Sequence, residues 1–259
     1  MYIKSLLFAS TLCFTALSAA DIDHADLTAL HSILSADSVE IPTAGIDTRE
    51  GHVKKLDKEG NLRVDMQFHH GKLDGVSRLY YPNGKLHKQM SYRNGRKEGV
   101  WKTFDEAGRL VSSLHYSDNR LDGMIRYYYP NGNIKDEIPY QNGKINGEWR
   151  HNREDGTLVW TRPYTSNVIN GTAVAYYPDG TIKEMMRYRY NQKHGKWKTF
   201  HANGRLKEQN VYKDGKRNGC TKTYNEDGTI ASEMLYKNDR AVASTLYKDG
   251  KPVEKVCSR

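Results

Sequence analysis

An aromatic residue returns every 24 positions along this chain, at Phe68, Tyr92, Tyr116, Tyr140, Tyr164, Tyr188, Tyr212 and Tyr236, without insertion or deletion. A fixed period of that length marks a repeat array, in which one small unit cannot bury an apolar face alone and does so by stacking on its neighbours. Seven residues after each of the first seven anchors stands glycine, from Gly75 to Gly219. Sixteen residues after each stands another, from Gly84 to Gly228, and two residues further on is always Leu or Ile, from Leu86 to Ile230.

The unit reads YRNGRKEGVWKTFDEAGRLVSSLH over Tyr92–His115. Its first turn signal, at Asn94-Gly95, is echoed by Gly71, Asn119, Gly143, Asn167, Asn191, Gly215 and Asp239, the residue types that best tolerate positive φ. The second, in Tyr81-Pro82-Asn83-Gly84 and Tyr129-Pro130-Asn131-Gly132, places Pro where a type I turn wants it and Gly where a bulged hairpin closes. Segments rich in strand-favouring residues, such as Val100–Phe104, lie between the turns, and no 3.6-residue period survives. The fold class this predicts is all-β: an elongated array of antiparallel β-hairpins, seven full units giving roughly fourteen strands over roughly 65–70 Å. Residues 44–67 form a degenerate leading unit, 68–235 the seven units, and 236–259 a degenerate trailing unit with Ala243 where glycine belongs.

The pattern Y-x-N-G-K-x-x-G-x-W-x-x-Y-x-x-x-G-x-L resembles the bacterial variant of the MORN repeat, of the type found in YwqK-like proteins, which are often labelled antitoxins. The resemblance covers roughly residues 50–250. It implies a non-catalytic β-hairpin array that docks proteins or lipids.

Residues 1–20 have a different character. Lys4 precedes an apolar run from Leu6 to Leu17, and Ser18-Ala19-Ala20 offers small residues for cleavage before Asp21. The run is too short to span a bilayer and reads as a secretory signal peptide, which places the protein outside the cytoplasm, in the periplasm, on the cell surface or secreted. Residues 21–43 form an acidic arm with charge −5 and no Lys or Arg, whereas residues 44–259 carry +13. Leu27, Leu30, Ile33 and Leu34 fall at helical spacing, so a short amphipathic helix is expected there, capping the first hairpin or competing for basic surface. Cleavage leaves Cys220 and Cys257, which either pair as a disulfide tying down the C-terminal end or remain two thiols.

Alternation along the strand predicts faces. Ten residues after the anchor, Arg78, Lys102, Arg126, Arg150, Lys198 and Lys222 form a basic column interrupted by Val174. This is either a solvated ridge or a binding surface. Two residues on, an aromatic column runs through Tyr80, Phe104, Tyr128, Tyr176, Phe200 and Tyr224, expected to be core with the basic stems passing over it and adding cation–π contact. Trp101, Trp149 and Trp197 project to the opposite face. They either pack between hairpins or form an exposed stripe for a glycan or protein partner.

Catalytic groups do not converge. The sequence contains no Cys-x-x-Cys, His-Glu-x-x-His, Gly-x-Ser-x-Gly or phosphate-binding loop. His69-His70 is the one close histidine pair, and adjacent strand residues should point to opposite faces, which argues against a metal. The expectation is therefore a protein without enzymatic activity, cofactor or metal, acting as an exported protein-interaction scaffold. Alternatives are an antitoxin or immunity protein that blocks a toxin, and a binder of anionic lipid or cell-wall polymer through the basic column. Nucleic acid, which would also use basic and aromatic columns, fits export poorly.

Overall fold

A computed structural model describes residues 50–248 and 250–253. The expected signal peptide, the acidic arm with its expected helix, and Cys257 lie outside the described residues. Among the described residues every element is a β-strand, and every pairing is antiparallel.

Each unit follows one plan. In the second unit a long strand, Leu86–Arg93, turns at Asn94-Gly95 into the two-residue strand Arg96–Lys97. After Glu98 comes the six-residue strand Gly99–Phe104, and a second turn leads into the next long strand, Leu110–Ser117. The same order repeats from Leu62–His69 to Ile230–Lys237, and Glu50–Leu56 forms a leading hairpin with Leu62–His69.

Both turns follow from their residues. Asn94 and Gly95 have φ of 50° and 80°, the consecutive left-handed pair of a two-residue type I′ hairpin, and the equivalent positions in the other units repeat it. At the second turn Gly84 N–H donates to Tyr81 O at 3.0 Å and Tyr81 N–H to Lys85 O at 2.9 Å. Gly84 has φ 77°, so the type I turn closes through a glycine bulge.

The glycine seven residues after the anchor decides where the core lies. Tyr92 pairs with Lys97 and Gln89 with Lys102, so Met90 and Ser91 face four residues, Glu98 to Trp101. This wide bulge bends the chain at Gly99, φ 80°. Ser91 O accepts Glu98 N–H at 3.0 Å and the Trp101 indole N–H at 2.9 Å, so the bend folds the indole onto the neighbouring strand. The face inside the bend is the core: Met90, Leu114, Ile125 and Ile138 are almost fully buried, with Tyr116 and Tyr140 against them. Burial pushes the Tyr92 and Tyr140 phenols up to about 12. In the trailing unit Ala243 stands where glycine would be, and Arg240–Lys248 continues as one strand with a single-residue irregularity at Leu235/Tyr236. Alanine does not take the positive φ the bend needs.

Units are tied sideways by their turns. Asn119 N–H donates to Lys97 O at 3.0 Å, and in return Lys97 N–H donates to Asn119 Oδ1 at 2.7 Å. Ile145 with Asn167, Ile169 with Asn191 and Arg217 with Asp239 repeat this exchange. Where the position is glycine, as at Gly143, only the backbone half remains. Asn167→Gly keeps the left-handed conformation and deletes the side-chain acceptor of the Ile145 amide. It is expected to lower stability by about 1–2 kcal/mol in urea denaturation. An unchanged midpoint would remove this bond from the ladder's energetics.

Candidate interaction face

On the face opposite the core, each strand from Leu62–His69 to Ile230–Lys237 that belongs to the main ladder contributes one residue to a continuous transverse row. Its register runs Asp65, Arg78, Gln89, Lys102, Ser113, Arg126, Glu137, Arg150. It continues through Thr161, Val174, Met185, Lys198, Gln209, Lys222 and Glu233. All six residues of the basic column are thus brought into one line. Arg150 is exposed and the other five are half-buried, whereas Thr161 and Glu233 of the same row are buried. The aromatic column, Tyr80 to Tyr224, is half-buried beside it, which corrects the expectation that these rings form the core: they share the face of the basic residues two positions before them.

The row is not uniformly positive. Arg126 Nε donates to Glu137 Oε1 at 2.9 Å, and Lys222 Nζ to Glu233 Oε1 at 2.6 Å. The hydrogen bond to Glu233 holds the Lys222 ammonium above its usual pKa. Arg150 Nε donates to Glu148 Oε1 at 2.9 Å on its own strand, and Arg78 stands opposite Asp65. Lys102 lies between Gln89 and Ser113, and Lys198 between Met185 and Gln209, so these two have no acid beside them in the row.

Trp101, Trp149 and Trp197 occupy the inner face at 6, 4 and 9 % exposure. Their indole N–H groups donate inward, to Ser91 O, Asp136 Oδ1 and Arg187 O. The exposed-stripe reading of this column is therefore corrected: the bend at glycine turns each indole into the core. Cation–π contact also comes from elsewhere than the basic row. Lys97 Nζ sits 4.5 Å from the Trp101 ring centroid and Lys193 Nζ 4.4 Å from that of Trp197. Both lysines are on two-residue strands, which the bend brings over the inner face, a placement that strand alternation does not reveal. Cys220 is half-buried opposite Leu235, and its candidate disulfide partner, Cys257, lies outside the described residues.

A further cluster lies at the leading hairpin. Glu50 pairs across the ladder with His69, whose Nδ1 is 3.1 Å from Glu50 Oε2. His70 Nδ1 is 2.8 Å from Glu50 Oε1, and His70 N–H donates to the same oxygen at 3.0 Å. The bond from the His70 amide, with help from both imidazoles, holds the Glu50 carboxyl below the ordinary carboxylate range. The expectation that the two histidines point to opposite faces is corrected here. His70 has left the strand for the turn, with φ 48°, and strand alternation no longer applies to it.

The MORN repeat variant family profile matches residues 73–94, 97–118, 121–142, 169–190, 193–214 and 217–238. The unmatched stretch between the third and fourth segments still forms Gly147–Asn152 and Leu158–Thr165 in the common register. No curated protein matches the chain. Among solved structures, the crystal structure of TcdB2-TccC3-Cdc42 is similar over 76% of this chain, at 13% identity and a TM-score of 0.20. That of TcdB2-TccC3 is similar over 76%, at 13% and 0.19, and that of TcdB2-TccC3-TEV over 77%, at 10% and 0.16. The chain spans only 12–14% of the length of those proteins.

Proposed function

The chain belongs to the MORN repeat variant family, and from that premise we propose that it is an exported, non-catalytic scaffold that docks a protein on its outward row. MORN repeats are in general protein- or lipid-binding repeats and typically non-catalytic. The observation that carries the finer reading is the composition of the row. Six bases share the row with Glu137 between them and with Asp65 and the buried Glu233 at its ends, and a half-buried aromatic column runs alongside. A polyanionic lipid surface or wall polymer favours charge of one sign, whereas a protein partner of mixed charge complements a row in which bases, an intervening acid and uncharged residues are combined. Lys102 and Lys198, with no acid beside them, are the positions a partner's carboxylates would meet. Half-buried aromatics beside them supply the desolvated area that usually dominates protein interfaces.

The test is capture of partners from envelope extract by the tagged chain, carrying either the native residues or Lys102→Glu with Lys198→Glu. A protein retained at high salt by the native chain, and bound about tenfold or more weakly by the double variant, is expected. Circular dichroism is expected to be the same for both. Equal capture by both chains would sink this reading. Capture of acidic lipid or polymer that is lost at high salt would replace it with surface binding through the same row.

A further inference from the structure

We propose that Glu50, His69 and His70 form a binding site for a borderline divalent transition-metal ion, with Zn²⁺ as the representative, which fastens the leading strand to the first turn. One ligand atom from each of the three side chains lies within 4.8 Å of the other two. The two carboxylate–imidazole separations, 3.1 and 2.8 Å, are already close to the roughly 3.4 Å that separates neighbouring ligands around a tetrahedral ion with bonds of about 2.0–2.1 Å. The third separation, between the two imidazole nitrogens, lies within 4.8 Å, so rotation of these exposed side chains would bring all three onto one ion. The two ring centroids lie 4.0 Å apart with the planes tilted by 40°, and both Nδ1 atoms face the Glu50 carboxylate.

The donor set determines the class of ion. Two imidazole nitrogens with one carboxylate suit Zn²⁺, Cu²⁺ or Ni²⁺, and suit Mg²⁺ or Ca²⁺ poorly, because those prefer all-oxygen shells. All three side chains are open to solvent, which leaves the remaining coordination positions to water.

The placement gives the site a mechanical consequence. Among the described residues, Glu50–Leu56 pairs on one side only, with Leu62–His69. A strand at the end of a sheet opens readily and offers unpaired backbone groups to other chains. Glu50 is its first residue, and His70 is in the turn beyond its partner strand. An ion shared between them closes the hairpin at its open end. The corresponding turn residues in other units, such as Asn94, Asp118 and Ser166, share the left-handed φ but bring no second imidazole.

The experiment is calorimetric titration of the metal-free full chain with Zn²⁺ alone and with Mg²⁺ alone, coupled to amide hydrogen exchange of residues 50–56. The native chain is expected to bind Zn²⁺ saturably and Mg²⁺ far more weakly, with exchange across the leading strand slowed by Zn²⁺. Glu50→Gln, His69→Gln and His70→Gln are each expected to weaken Zn²⁺ binding about tenfold or more and to abolish the exchange effect. His52→Gln, on the same strand and paired instead with Asp65, leaves both unchanged. No Zn²⁺ binding, binding that survives all three site variants, or equal binding of Mg²⁺ would overturn the site. Binding without slowed exchange would overturn its role as a fastener.

Discussion

Gly147→Ala is expected to cost this protein about 2–4 kcal/mol, enough to threaten folding of the central repeats. Two effects act together at this position. Gly147 has φ 127°, a region that L side chains rarely enter, and a Cβ there would lie 2.8 Å from Pro139 Cγ. The proline ring cannot rotate out of the way, so the backbone must shift or the bend must open. Gly171 repeats the arrangement against Pro163 at 2.9 Å. Gly132→Ala is the matched control, since its φ is 89° but no atom lies within 4 Å of the added carbon. That variant is expected to pay strain alone, about 1–2 kcal/mol. Urea midpoints for the two variants measure the difference, and equal losses would show that contact with Pro139 contributes nothing. Because each unit is supported by its neighbours, a lesion at the centre is also expected to split the transition into two, visible as a lower apparent m-value.

Trp149→Ala carries the second large effect, about 3–5 kcal/mol from the lost packing and the cavity left behind. Its ring packs edge-on to Trp160 at 5.3 Å, and its N–H donates to Asp136 Oδ1 at 3.0 Å. Asp136 is itself buried and also contacts His151 Nδ1 at 2.8 Å. Phenylalanine separates the two contributions. Trp149→Phe retains an aromatic ring but takes a donor from a buried carboxylate, a loss of about 1.5–3 kcal/mol for a charged acceptor. Trp101→Phe takes a donor from Ser91 O, which still accepts the Glu98 amide, so a loss of about 0.5–1.5 kcal/mol is expected there. Comparable losses at the two positions would mean that Asp136 finds its second donor elsewhere. Because these indoles are inside, partner binding by folded Trp149→Phe is expected to equal that of the native chain.

Much of the architecture was legible before any coordinate. A 24-residue period with no slips can only be read as stacked units, and Asn94-Gly95 and Tyr81-Pro82-Asn83-Gly84 specify their turns through backbone sterics alone. Alternation also separated the basic row from the tryptophans, because both sit on the same strand at adjacent positions. Such information is local: it depends on which φ a residue tolerates and on the two-residue repeat of a pleated strand.

Which face became the core was not local. Alternation states that Trp101 and Lys102 oppose each other, but the wide bulge at Gly99 puts Trp101 inside and leaves Lys102 out. The same bend carries Lys97 over the indole, although five positions separate it from the anchor Tyr92. Pairing across strands then decided that Arg126 and Lys222 are already matched by Glu137 and Glu233, while Lys102 and Lys198 are not. At His70 a left-handed turn cancels the alternation on which the sequence reading relied, and two histidines meet one carboxylate from another strand. The period, the turns and the strand faces follow from residues acting on their own backbone. The buried face, the charge partners and the Glu50–His69–His70 cluster arise only when segments remote in sequence share a register, because each is set by where the neighbouring chain lies.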